Sequence, residues 1–193
     1  MIPINIGAIL LSGLDIGLAF LIWTRNYKNK INILFSLSVL CVAVWTFGEA
    51  MFREAPDLLS ARFWAHLENF FGSLVVVFFF LFSVYFPYQN FRFNNFYKLL
   101  VALSVAIHFI IIFTPGLYIN EIVLDKPFNN FILHPIGRTY YTIYFIIYLS
   151  LAFYLLISKF IKSQGILKKN LLTVLIATGI LAFFGTLFGI IPS

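Results

Sequence analysis

Six apolar runs, each read as a membrane-crossing helix, occupy most of the chain and are separated by short polar breaks. The first run extends from about Ile4 to Trp23 and stops at Arg25-Asn26-Tyr27-Lys28-Asn29-Lys30. The second covers Ile31 to Phe52 and ends in Arg53-Glu54-Ala55-Pro56-Asp57. The third begins near Leu58 with a mixed first turn and runs to Phe86, where Pro87 stops it. The fourth, Leu99 to Thr114, closes at Pro115-Gly116, because proline cannot continue a helix. The fifth and sixth run from about Thr139 to Phe160 and from Asn170 to Ile190.

One connection is long, Gly116 to Arg138. Leu117 to Leu124 favours a strand, and Phe131-Ile132-Leu133 follows across Asp125-Lys126-Pro127-Phe128-Asn129-Asn130. Pro127 and the two asparagines supply turn chemistry, so a small β-hairpin is expected there. A lone hairpin is marginal in water and needs the helix ends for support. The predicted fold is an all-α polytopic bundle of six transmembrane helices, with a short external hairpin between helices 4 and 5.

Composition sharpens this picture. Hydrophobic residues make up 62% of the chain and charged residues 10%, with a mean hydropathy of +0.98. That leaves too little polar surface for a water-soluble domain, and lipid must be part of the solvent. The net charge of +6 does not form a nucleic-acid patch. Nine of the thirteen basic residues flank alternate breaks with no acid among them: Arg25, Lys28, Lys30, Arg92, Lys98, Lys159, Lys162, Lys168 and Lys169. The other breaks hold Arg53, Arg62, Lys126 and Arg138, diluted by Glu54, Asp57, Glu121 and Asp125. The positive-inside rule then puts the basic breaks in the cytoplasm and both Met1 and Ser193 outside, in a multi-pass protein of the plasma membrane. Met1-Ile2-Pro3-Ile4-Asn5 lacks the basic region and cleavage site of a signal peptide, so the first helix is expected to be retained. Cys41 is the only cysteine, which excludes an intramolecular disulfide.

Ionisable residues inside a membrane are costly, so each is a functional suspect. Asp15 lies mid-run between Gly13 and Gly17, a spacing that lets a second helix approach closely, and Gly185 and Gly189 repeat it in the sixth run. Both glycine pairs are read as helix-packing positions, with Asp15 at a helix contact or in an ion-linked role. Glu49 precedes Arg53 by four residues, the favourable order for a helical ion pair. Arg62, His66 and Asn69 share a face of the third helix, and Glu68 points elsewhere. Tyr140, Tyr144 and Tyr148 form a stripe beside Tyr141, serving as an aromatic belt, as packing, or as the wall of a cavity. Trp45, Glu49, Arg62, Glu68, Tyr144 and Tyr148 are the candidate ligand-binding residues. The spacing of His66, His108 and His134 matches no metal signature, so no metal or cofactor is expected. No GxSxG, HExxH, Walker or kinase signature is present, and no catalytic residue is assigned.

The stretch from Phe35 through Val44-Trp45-Thr46-Phe47-Gly48-Glu49 to Phe52, followed by Ala61-Arg62-Phe63-Trp64-Ala65-His66-Leu67-Glu68-Asn69, resembles the N-terminal seven-helix membrane region of bacterial sensor histidine kinases. Pro135-Ile136-Gly137-Arg138-Thr139-Tyr140-Tyr141 is similar to that family's approach to its fifth helix, and Gly189-Ile190-Ile191-Pro192 to the close of its sixth. The resemblance implies a single sensory domain over residues 1–193. Such a domain passes an external or intramembrane stimulus to a cytoplasmic output domain of a two-component system. The chain stops after six runs, so the family's seventh helix and output domain are expected to be absent. Expected partners are the bilayer and a second copy in a homodimer. The alternative reading is a small transporter or channel subunit, for which Asp15 and His108 would be the midplane polar residues. A third is a structural membrane partner that pairs with other helices through its glycine faces.

Overall fold

The computed structural model describes residues 3–88, 94–125 and 128–189, with side-chain surroundings up to residue 180. Six helices follow one another: α1 (Pro3–Arg25), α2 (Lys30–Arg53), α3 (Leu58–Tyr85), α4 (Asn95–Phe113), α5 (Pro135–Lys162) and α6 (Gly165–Gly189). Strands β1 (Ile119–Val123) and β2 (Asn130–Leu133) separate α4 from α5. Among the described residues, α1 to α5 are each long and apolar enough to cross a membrane. The predominantly helical architecture and the small hairpin are those the hydropathy pattern predicts.

Several helices start a turn earlier than the apolar runs do, because polar first turns are held by side-chain caps that hydropathy does not register. Asn94 caps α4 by accepting the Phe96 N–H at 3.1 Å, which brings Asn95 to Lys98 into the helix. His134 caps α5 through Nδ1, and Pro135 at the first position loses nothing by lacking an N–H. Asp57 accepts the Ser60 N–H at 2.9 Å at the head of α3, a bond that holds its carboxyl below the usual carboxylate range.

α3 is the central helix. It packs on α2, α4, α5 and β1, while α1 packs on α2 and α6 on α5. Lipid gives helices no hydrophobic reason to associate, so close contact relies on small residues and interhelical hydrogen bonds. The α1–α2 seam shows both. Asn5, Ser12 and Ala19 are buried at seven-residue intervals, and the Ser12 hydroxyl donates to the Ala43 carbonyl at 2.9 Å. α2 buries the small residues Ala43, Gly48 and Ala50, and α3 buries Ala61, Ala65, Gly72 and Ser73; of these, Gly48 and Gly72 meet side chains of the other helix.

The hairpin lies across the ends of α2, α3 and α5. β1 and β2 pair antiparallel, with an irregularity between Ile119 and Glu121. Pro127, one of the expected turn residues, lies outside the described residues. Asn129 does not act as a turn former alone: its amide donates to the carbonyls of Phe52 (2.9 Å) and Ala55 (2.8 Å), closing the end of α2. Phe131 meets Phe52 edge-on, and Arg53 lies over the Phe128 ring. At α5 the approach is closest, with Gly137 against the Leu117 carbonyl and the Tyr118 backbone.

Candidate functional site

Two reciprocal contacts build the site between α2 and α3. Gly48 faces Glu68: a Cβ at Gly48 would stand 3.0 Å from the Glu68 Cβ. Three residues earlier on α2, Trp45 lies on Gly72, one turn further along α3, at 3.6 Å from where a Cβ would be. A glycine on each helix thus receives the large side chain of the other. The Tyr141 hydroxyl, from α5, reaches the same Gly72 position at 3.3 Å. Gly48 and Gly72 carry the arrangement, and neither belongs to a GxxxG pair, so no spacing rule singles them out.

Glu68 is buried, only 5% exposed, and its Oε2 has no hydrogen-bond partner. Oε1 has a distant one, the Asn69 amide at 3.5 Å. Asn69 in turn accepts the Tyr118 hydroxyl at 2.7 Å and donates to the Ala65 carbonyl at 2.8 Å. Tyr118 stands just before β1 and is almost fully enclosed; burial, with Tyr141 and Glu68 beside it, pushes its phenol well above the usual tyrosine range. A polar line therefore runs from the hairpin through Tyr118 and Asn69 to Glu68.

The other candidates occupy different positions. Glu49 pairs with Arg53, as the i,i+4 spacing predicts, so that carboxylate already has its cation. Arg62 is exposed and, among the described residues, forms no ion pair. Trp45 is 40% exposed at the bundle surface, with its ring against Gly72.

Tyr144 and Tyr148 lie on the α4–α5 contact, both buried. The Ser104 hydroxyl donates to the Val101 carbonyl at 2.8 Å, so the Tyr148 hydroxyl is the donor in the hydrogen bond between them. Tyr144 stacks on His108 with ring centroids 4.2 Å apart, and Tyr140 and Tyr141 flank the same imidazole at 5.6 Å. Both His108 nitrogens and the Tyr144 hydroxyl are buried without a hydrogen-bond partner. His108 is the residue the sequence undervalued. Its neighbours Ile107 and Phe109 are apolar and give no local sign of this setting, in which the fold surrounds the imidazole with the tyrosine stripe.

The three histidines serve separate places: His66 stacks on Phe113, His108 sits among the tyrosines and His134 caps α5. A Cβ added at Gly13 or Gly17 would meet no atom within 4 Å, so neither receives another helix among the described residues. The surroundings of Gly185 and Gly189 lie outside the described residues. Asp15 is partly buried on the α1 face that meets α2 and has no hydrogen-bond or ion-pair partner among the described residues.

Lys159 differs from its reading as a loop base. It points back along α5 onto the end of α3, where its ammonium donates to the carbonyls of Ser83 (2.7 Å), Val84 (2.7 Å) and Phe86 (2.6 Å).

No curated protein and no solved structure matches the chain. Residues 8–193 match the family described as the N-terminal 7TM region of histidine kinase, which agrees with the resemblance carried by α2, α3 and the approach to α5. The match is to the sensory region and not to a catalytic domain. Since it takes in nearly the whole chain, the protein belongs to the family of histidine kinase N-terminal 7TM regions.

Proposed function

We propose that this chain is the sensory input module of a signalling protein, crossing the plasma membrane six times with Met1 outside. It receives its stimulus in the α2–α3–α5 bundle beneath the hairpin and relays it to a cytoplasmic output domain. Glu68 carries this reading. An orphaned carboxylate oxygen inside a lipid-embedded bundle costs free energy that packing alone does not return, and such groups mark functional positions. Charge supports the orientation. Six acidic residues (Glu49, Glu54, Asp57, Glu68, Glu121 and Asp125) belong to the hairpin end, where four basic residues accompany them. In the sequence, the breaks read as cytoplasmic hold nine basic residues and no acid.

The relay follows from α3 being shared. A stimulus that repacks Glu68 against Gly48, or Trp45 against Gly72, moves α3 relative to α2. At the far end of α3, Lys159 ties it to α5. Two packings of this seam, differently favoured by the stimulus, would shift population at the cytoplasmic end. Trp45, Glu49, Arg62, Glu68, Tyr144 and Tyr148 remain the residues proposed to supply that difference.

The test joins this chain to the seventh helix and kinase domains of a relative and measures autophosphorylation in membrane vesicles. Glu68→Gln and Arg62→Ala are expected to change the basal level, and reporter fusions at Ser193 are expected to read as external. Wild-type phosphorylation in both variants would overturn the site, and a cytoplasmic Ser193 would overturn the topology.

A further inference from the structure

Glu68 forms no ion pair among the described residues. Glu68 and Glu49 are neighbours on facing helices, and Arg53, the base that acts on Glu68 among the described residues, is engaged by Glu49. Glu68 is buried with one oxygen unpartnered, and no basic side chain among the described residues pairs with it. Its surroundings are aromatic: Trp45 and Tyr141 converge on Gly72 one turn away, and Tyr118 closes the hairpin side through Asn69. A buried carboxyl group with aromatic side chains within a turn of it matches the chemistry of an ammonium group, which it meets as the carboxylate by giving up its proton. Such a group brings only donors and positive charge, for which the ring faces and the free oxygen are complementary. In the sequence the segments of the hairpin end carry six acids against four bases, a balance that attracts cations.

We propose that the Glu68 site binds a small organic amine in its ammonium form, with Glu68 as the counter-ion and Trp45, Tyr118 and Tyr141 as the aromatic wall. The assignment rests on Glu68 being the centre of the sensory site and names the class of stimulus it takes. Binding would supply the partner that Oε2 lacks and hold α2 and α3 in one packing.

The experiment uses the full chain in lipid nanodiscs, with methylammonium chloride as probe and methanol as the uncharged molecule of the same heavy-atom count. Saturation-transfer nuclear magnetic resonance on the probe methyl group reads binding. Methylammonium is expected to saturate and methanol not to. Glu68→Gln should weaken methylammonium about thirtyfold or more, the loss expected when a buried charge pair is broken. It should unfold at the same or a higher temperature, because it removes an uncompensated buried acid. Trp45→Leu keeps the carboxylate and is expected to weaken binding severalfold, which preserves the test if Glu68→Gln fails to fold. No saturation by methylammonium, equal binding of methanol, or unchanged affinity in Trp45→Leu or in folded Glu68→Gln would overturn the proposal. If methylammonium fails while Glu68→Gln still alters kinase phosphorylation, the ligand class falls and the sensory site stands.

Discussion

The Lys159 ammonium donates to the Ser83 carbonyl at 2.7 Å, an acceptor that in a continuing helix would take the N–H of residue 87. Residue 87 is proline and has none. Its other two donors satisfy Val84 and Phe86, so one side chain from α5 closes the end of α3 and places positive charge at the negative end of the helix dipole. Lys159→Met keeps the aliphatic stem and removes all three bonds. It is expected to cost about 2–4 kcal/mol, from the usual worth of hydrogen bonds to a charged donor. Lys159→Arg should recover part of this, because a planar guanidinium cannot converge its donors on three carbonyls in the same way. Thermal unfolding in nanodiscs checks both, and an unchanged Tm for Lys159→Met would remove the latch from the account.

Gly137 and Gly13 make opposite predictions from the same substitution. A Cβ at Gly137 would stand 2.8 Å from the Tyr118 Cα and closer still to the Leu117 carbonyl oxygen, and backbone cannot turn aside as a flexible side chain does. Gly137→Ala should push the hairpin off α5 and cost about 1–3 kcal/mol. Gly13→Ala and Gly17→Ala meet nothing within 4 Å and should be neutral or stabilise α1 by up to about 1 kcal/mol each. Unfolding temperatures measured side by side decide this. A large loss at Gly13 or Gly17 would mean that a second copy or another helix packs there.

Asn129 joins the hairpin to α2 through two carbonyls, and Arg53 and Phe52 add ring contacts on either side. Asn129→Ala should leave the helices folded and loosen the hairpin. Losing about 1–2 kcal/mol of tethering would speed amide exchange in 119–123 and 130–133 roughly five- to thirtyfold. Exchange unchanged in these strands would show that the hairpin is held from the α5 side alone.

The helices and hairpin were legible because apolar length and turn chemistry are local properties. So was the Glu49–Arg53 pair, which needs only a spacing of four. Helix starts were less so, since Asn94 and His134 cap polar turns that a hydropathy count assigns to loops. The contacts that build the site join residues far apart in sequence. Gly48 meets Glu68 and Trp45 meets Gly72 only once α2 and α3 are antiparallel and in register, and nothing in the local pattern of either helix states that register. Lys159 shows the same limit: beside Lys162 it reads as a loop base, and only the fold turns it toward Ser83. The GxxxG spacing at Gly13 and Gly17 is a local pattern as well, yet α1 meets α2 through Asn5, Ser12 and Ala19 instead.

Tyr118 makes stability depend on alkaline pH. Its phenol is buried and donates to Asn69 at 2.7 Å, and burial raises its pKa well above the ordinary value. The folded state therefore favours the neutral form more than the unfolded chain does. The resulting stabilisation is complete below the unfolded tyrosine pKa of about 10 and is lost as pH rises from there toward the folded value. Tyr118→Phe should lose about 1 kcal/mol at pH 8, where it lacks only the hydrogen bond to Asn69. Above pH about 10 it should decline less steeply than the wild type, because it has no phenol at this position to deprotonate. Unfolding temperatures of the two proteins measured from pH 8 upward should converge. A gap that stays constant across that range would show that the Tyr118 hydroxyl does not contribute through its ionisation.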